Sequence, residues 1–308
     1  MRLSWAGILT CTPLERRGGF SPSALYNHPL PSATQRDQLS VVLVSPRNPL
    51  NIGAAARAMA NFGFARLAVV APYEPHWREA RSAVGAERLL QNAQVLPALA
   101  EAVAECTLVI GTGTVGRRKP EQPVVPLPML APLVRREMER GGRVAMVFGP
   151  EKRGLTREDL AYCHLLVEIP TDPRQPSMNL GQAVAVCLYE LASQLAGPEL
   201  GAGRAVGRVS ASEQDGRHDR SHSRDARLAA SSGSLERVAE VVEKAMLAAG
   251  YSPAAMREAN RHDLRLLLRR LTLTESDARR ILGLFRRILW RLERGDEQRK
   301  GSAGPRGG

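Results

Sequence analysis

The sequence predicts an α/β unit, a parallel sheet with helices on both faces, followed by a small all-α extension. Three observations carry this. Short, continuous apolar runs alternate with helical periodicity over residues 39–198, the pattern of strands buried on both faces. A Gly/Ser/Arg/Asp-rich, aperiodic stretch breaks the pattern at 199–233. Helical periodicity alone returns from Ser234.

Taken in order, residues 1–38 hold scattered Pro, Ser and Gly without periodicity and read as a disordered N-terminal extension, or as residues upstream of the true start. Strands are expected at 40–45, 66–71, 107–111, 143–148 and 165–169, and helices near 53–63, 77–83, 97–104, 128–140, 156–161 and 179–196. The last of these is apolar nearly all round, so it belongs inside the domain or in a dimer interface. Residues 199–233 read as a flexible linker, 234–295 as a helical extension and 296–308 as a disordered tail. Ser234 is placed to cap the first helix of the extension and Gly250 to end it. Over 234–300, fifteen Lys and Arg face ten Asp and Glu, with leucines at helical spacing between them. Such a bundle either binds RNA through a basic face or simply presents a solvated one.

The chain has 308 residues, 44% of them hydrophobic, and a formal net charge of +12. That balance favours an anionic partner, nucleic acid being the commonest, although part of the excess sits in the tails. The cysteines at 11, 106, 163 and 187 form no CxxC pair, which argues against a zinc site or a disulfide framework and suits a reducing cytosol. The opening "MRLSWAGILTC" is too short for a signal peptide, and no run of 18 apolar residues is present to span a membrane.

"GTGTVG", Gly111–Gly116, fits the dinucleotide fingerprint after a strand, but that fingerprint must open a helix. "RRKPEQPVVPLP" comes next instead, with prolines that forbid one. No P-loop, GxSxG or HExxH is present, and the six histidines form no metal pair. Three other segments are more telling. "NPLNIGAAARAMANFGF" places Asn51 and Gly53 at a helix start, with Arg57 one turn beyond Gly53. "VFGPEKRGL" ends a buried strand in Gly149 and Glu151, where open α/β sheets put ligands. "IPTDPRQPSMNLGQAVAVCLYEL" runs through a Pro-rich loop to Ser177, read as the cap of the long apolar helix, with Asn179 in its first turn.

In this order, "NxGxxxR", "FGxExxGL" and "IP…SxNL" resemble the three motifs of the SpoU branch of the SPOUT RNA methyltransferases. The match covers about residues 39–198. The "LERVAEVVEKAMLAAGY" helix and the helical segments after it are similar, more loosely, to the helical extension of the TrmJ group, which methylates the ribose 2′-hydroxyl at position 32 of the tRNA anticodon loop. The resemblance implies a C-terminal trefoil knot, a rare exception to ordinary connectivity. It also implies S-adenosylmethionine held by backbone groups of Thr112, Gly113, Thr114, Gly149, Ile169, Pro176, Ser177 and Met178. Polar active-site residues carried over by motif are Asn51, Arg57, Glu151, Ser177 and Asn179, with no metal. An arginine guanidinium stays protonated at neutral pH and is a poor base, so Arg57 is expected to grip phosphate and align the hydroxyl. Arg117, Arg118 and Lys119 are placed for RNA backbone contacts. The family implies a cytoplasmic homodimer acting on RNA, most often tRNA. The alternatives are ribosomal RNA, another tRNA position, or a silent RNA-binding protein of the same fold. The departures are the proline before Glu151, the long linker, and an N-terminal stretch without a counterpart.

Overall fold

The computed structural model describes residues 30–113, 120–196 and 228–302. Seven strands form one sheet: β1 (Leu39–Val44), β2 (Arg66–Val70), β3 (Gln94–Leu96), β4 (Leu108–Thr112), β5 (Val124–Pro126), β6 (Val144–Phe148) and β7 (Leu165–Glu168). Their order is β3-β2-β1-β6-β4-β7-β5, and every pairing is parallel. The carboxyl ends of all strands therefore lie on one edge, so the loops that leave β1, β4, β6 and β7 share it.

The strands β1, β2, β4, β6 and β7 fall where the apolar runs predict them. Two were not legible. β3 has three residues that are exposed or partly exposed, and β5, "VVP", ends in a proline at the sheet margin, where a missing amide donor is tolerated.

Alternation along β1 divides the core. Leu39, Val41 and Leu43 face α2 (Pro49–Asn61), α5 (Ala131–Glu139) and α7 (Leu180–Leu195). Val42 and Val44 face the other layer, which includes α4 (Leu99–Ala102) and Leu160 of α6 (Arg157–Leu160). A short α3 (Glu87–Asn92) packs beside α2, its Leu90 within the first of these clusters. The helix expected at 77–83 contracts to a single 3₁₀ turn, Trp77–Glu79, which buries Trp77. Within the stretch expected to lack structure up to residue 38, Ala33–Gln38 forms α1, closed by a Ser32/Gln35 capping box.

α2 begins earlier than its apolar periodicity suggests. Asn48 accepts from the Leu50 amide and Pro49 fits the first helical position, so the helix starts at 49. α2 and α7 cross closely because a Cβ on Gly181 would lie 2.6 Å from that of Ala54.

The extension holds α8 (Ser232–Ala248), α9 (Arg257–Arg270) and α10 (Glu275–Ser302). The cap of α8 is Ser231, not Ser234: the Ser231 hydroxyl accepts from the Ser234 amide. The end of the expected linker is ordered, because Ser232 and Gly233 donate to the carbonyls of Cys106 and Ala104. The helical backbone of α10 continues to 302, past the expected boundary at 295.

Candidate active site

Four loops at the carboxyl edge bring the three sequence segments together. The β1–α2 loop and the β6 loop meet through Glu151. Its Oε2 accepts from the amide of Arg47 and its Oε1 from that of Asn48, both at 3.3 Å. Oε1 also accepts from Asn51 Nδ2 at 2.7 Å. Asn51 Oδ1 in turn accepts from Asn179 Nδ2 at 2.9 Å. The remaining oxygen of Asn179 accepts from the amides of Gly181 and Gln182.

This is a continuous chain from the β6 loop to the first turn of α7, and every amide in it has a fixed orientation. Partial burial alone would raise the Glu151 pKa, but the Asn51 amide and the Arg47 and Asn48 N–H groups outweigh it, and the carboxyl titrates below its usual range. A carboxylate held ionised by three donors is a weak proton acceptor and a good orienting group.

The donor pattern also corrects one expectation. Asn179, not Ser177, caps α7, because its side chain reaches the two free amides while Ser177 lies two residues before that cap. Ser177 instead lines a cavity of about 930 Å³ beside the chain of amides. Thr112, Gly113, Gly149, Glu151, Ile169, Pro176 and Met178 line it as well.

The cavity has an apolar wall of Leu155, Leu160 and Leu166 and a polar rim that includes Glu168 and Arg174. Its size and lining suit a small organic ligand. The apolar wall comes from a loop residue, the last residue of α6 and a residue of β7, which no local motif announces; Glu168 could have been suspected from its place at the end of a buried strand. Gly149 lets the β6 loop fold back on itself, since a Cβ there would sit 2.3 Å from the Gly154 carbonyl carbon and from the Leu155 nitrogen. Thr112 Oγ1 donates to the Val147 carbonyl, tying the β4 end to β6. Asp172 accepts from Arg174 and so closes the turn of the β7–α7 loop.

Arg57 lies at the start of the third turn of α2. It is exposed, pairs with no acid among the described residues, and does not line the cavity. Thr114, Arg117, Arg118 and Lys119 lie outside the described residues. Among the described residues no cluster of three His, Cys, Asp or Glu is set to hold a metal, and no helix is long and apolar enough to cross a membrane.

Comparison with known proteins finds a family, two relatives and a solved structure. Residues 38–189 match the SpoU rRNA methylase family. A Pseudomonas aeruginosa protein named tRNA (cytidine/uridine/adenosine-2′-O-)-methyltransferase TrmJ is 42% identical over 161 residues, half of this chain and 60% of that protein. An Escherichia coli protein, the uncharacterized tRNA/rRNA methyltransferase LasT, is 37% identical over 52% of this chain and 71% of its own length. The aligned stretch thus spans only about three-fifths of the P. aeruginosa relative. Among solved structures, TrmJ from Z. mobilis ZM4 superposes with a TM-score of 0.64 at 30% identity, covering 81% of this chain and 98% of that one.

Proposed function

We propose, from the premise that the chain belongs to the SpoU rRNA methylase family, that it is an S-adenosylmethionine-dependent RNA ribose 2′-O-methyltransferase acting on tRNA. The observation that carries this reading is the Glu151–Asn51–Asn179 chain, which joins the three motif segments at the rim of one cavity. Nucleotide 32 of the anticodon loop is the favoured target. The resemblance of the helical extension to the TrmJ group and the likeness to the Z. mobilis TrmJ over 81% of this chain support it.

The cavity fits the cofactor. Its loops expose backbone groups, its Leu155, Leu160 and Leu166 wall offers an apolar face to an adenine ring, and the close turn at Gly149 leaves the space open. Thr112, Gly113, Gly149, Ile169, Pro176, Ser177 and Met178, with Thr114 beside them in sequence, would hold it. When bound, S-adenosylmethionine supplies an electrophilic methyl group.

The chain's own residues have a positioning task. Asn51, oriented by Glu151 and Asn179, presents its amide toward the ribose. Ser177 lines the same cavity as Glu151, the near end of that amide network. Arg57 holds the phosphate of the target nucleotide, so that the 2′-hydroxyl is aligned for in-line displacement. Its place outside the cavity supports an RNA-facing role.

We also read the segment after β4 as threaded into a trefoil knot; the insertion of β7 between β4 and β5, both earlier in the chain, supports the threading. A homodimer with its seam along α7 is supported by the exposed apolar side chains of Val186 and Tyr189 on the face of that helix turned away from the core, Tyr189 lying edge-on to Phe62. The three described cysteines are free and buried, which agrees with a cytoplasmic site of action.

The test is transfer of labelled methyl from S-adenosylmethionine to bulk unmodified tRNA, with the product mapped by mass spectrometry of nuclease fragments. A 2′-O-methyl at position 32 is expected. A mark elsewhere keeps the chemistry and discards the position, and no transfer to tRNA or ribosomal RNA overturns the reading. Arg57→Ala should lower transfer by at least about 10²-fold while cofactor affinity by calorimetry changes less than about threefold; a large loss of cofactor affinity would sink the positioning role.

A further inference from the structure

Two loops meet beside the carboxylate chain, and one pair of side chains on them has no role in the fold. The β1–α2 loop carries Arg47, whose amide donates to Glu151. The loop after β2 carries Tyr73, whose amide donates to the Pro46 carbonyl at 3.2 Å. The Arg47 guanidinium carbon lies 5.4 Å from the centroid of the Tyr73 ring. Tyr73 is 68% exposed, and its hydroxyl makes no hydrogen bond among the described residues. Burial therefore does not explain the ring, and neither does a buried polar network.

The backbone beneath the pair is set with some strain. Ser45 and Ala71, the residues just past β1 and β2, have φ of 43° and 42°, a region that residues with a Cβ seldom occupy. Both are held there by sheet-like bonds, Ser45 N–H to the Val70 carbonyl and Ala71 N–H to the Leu96 carbonyl. Such strain persists where a neighbouring group must be aimed. Here the two turns bring Arg47 and Tyr73 over the same edge of the sheet as Asn51 and Glu151.

We propose that Tyr73, braced by Arg47, is a stacking platform for an unpaired nucleobase next to the methylated nucleotide. The inference rests on the RNA methyltransferase reading and adds the site that fixes the strand beside the target ribose. Bases splayed from a loop are commonly held by stacking on an aromatic ring or a guanidinium plane, and this pair offers both in one place. The neighbouring cations suit an RNA strand: Arg47 forms no ion pair among the described residues, and Arg57 projects from the helix that the same loop begins.

The experiment measures binding of bulk unmodified tRNA by the full chain, together with the KM for that tRNA in the transfer assay. Tyr73→Ala should weaken tRNA binding and raise KM about tenfold, with S-adenosylmethionine affinity unchanged. Tyr73→Phe, which keeps the ring, should restore most of the loss. Equal tRNA affinity in wild type and Tyr73→Ala overturns the platform while leaving the methyltransferase reading intact. So does an equal loss in Tyr73→Phe, which would assign the effect to the hydroxyl. A change of oligomeric state in Tyr73→Ala by sedimentation overturns it too, by assigning the ring to a contact between copies. Absence of any tRNA binding by the wild type overturns both.

Discussion

Asn179 does two jobs that a single substitution can separate. Its carbonyl oxygen caps α7 and its amide nitrogen donates to Asn51. Asn179→Ser should keep most of the cap, since serine is nearly as good there, whereas Asn179→Ala should lose about 1 kcal/mol of stability. Both lose the donor to Asn51. Transfer should therefore fall about tenfold or more in both variants, with the melting temperature near wild type only in Asn179→Ser; a serine variant with full activity would show that the amide relay has no part in the reaction. At this scale the sequence was informative about residue types and misleading about one role. Asn51, Glu151 and Asn179 were legible because each sits at a strand end or helix start. The capping role fell to Ser177 in the sequence because serine is a common cap, yet which residue turns into the helix is decided by the β7–α7 loop, and loop geometry is set by tertiary contacts.

At the scale of elements, two glycines beside the same cavity differ: Gly149, in the loop after β6, is required by close packing, whereas Gly113, after β4, is not. Gly149→Ala would force a Cβ to 2.3 Å from two backbone atoms of the returning chain, so the loop must open. A Cβ on Gly113 meets nothing within 4 Å. Gly149→Ala is expected to lower the melting temperature by several degrees and S-adenosylmethionine affinity at least about tenfold, whereas Gly113→Ala leaves the melting temperature unchanged. Equal melting curves for the two variants, read by circular dichroism, would mean that the β6 loop tolerates opening. The five buried strands were readable from their apolar runs because burial on both faces demands such runs. β3 and β5 lie at the margins, where three residues and partial exposure leave no periodic signal, and the 3₁₀ turn at Trp77 forms because it buries one large ring rather than because its segment favours a helix.

Across the whole molecule, the extension is not merely tethered. Arg269 of α9 is 4% exposed and donates to Ser232 and Glu236 of α8, while its guanidinium and that of Arg265 lie over the Tyr162 ring at 5.4 and 4.6 Å. The side of α9 that the composition left undecided between a solvated face and an RNA contact is thus partly spent on neutralising Glu236 and Glu243 and on gripping the α/β domain at Tyr162. Tyr162 belongs to the same short segment as Leu160 and Leu166 of the cavity wall, so removing 234–308 is expected to disturb that wall as well as the extension. The seam between α9 and the α/β domain also contains His164, whose Nδ1 accepts from the Val109 amide at 3.1 Å and must be unprotonated to do so. Burial, with the Arg269 charge added, lowers its pKa from 6.5 to about 3. A folded-state pKa below the unfolded one means that the unfolded chain takes up a proton first. The stability contributed is therefore complete above about pH 6.5 and is lost as the pH falls toward 3, at no more than about 1.4 kcal/mol per pH unit for one proton. Glu151 adds its own loss only below its unperturbed value of 4.5. Between pH 7.5 and 5, then, the urea midpoint of the wild type should fall. His164→Asn, though less stable at pH 7.5, should show a flatter profile over the same range. Parallel profiles would place the titrating group elsewhere and return the seam to a purely apolar and ionic contact.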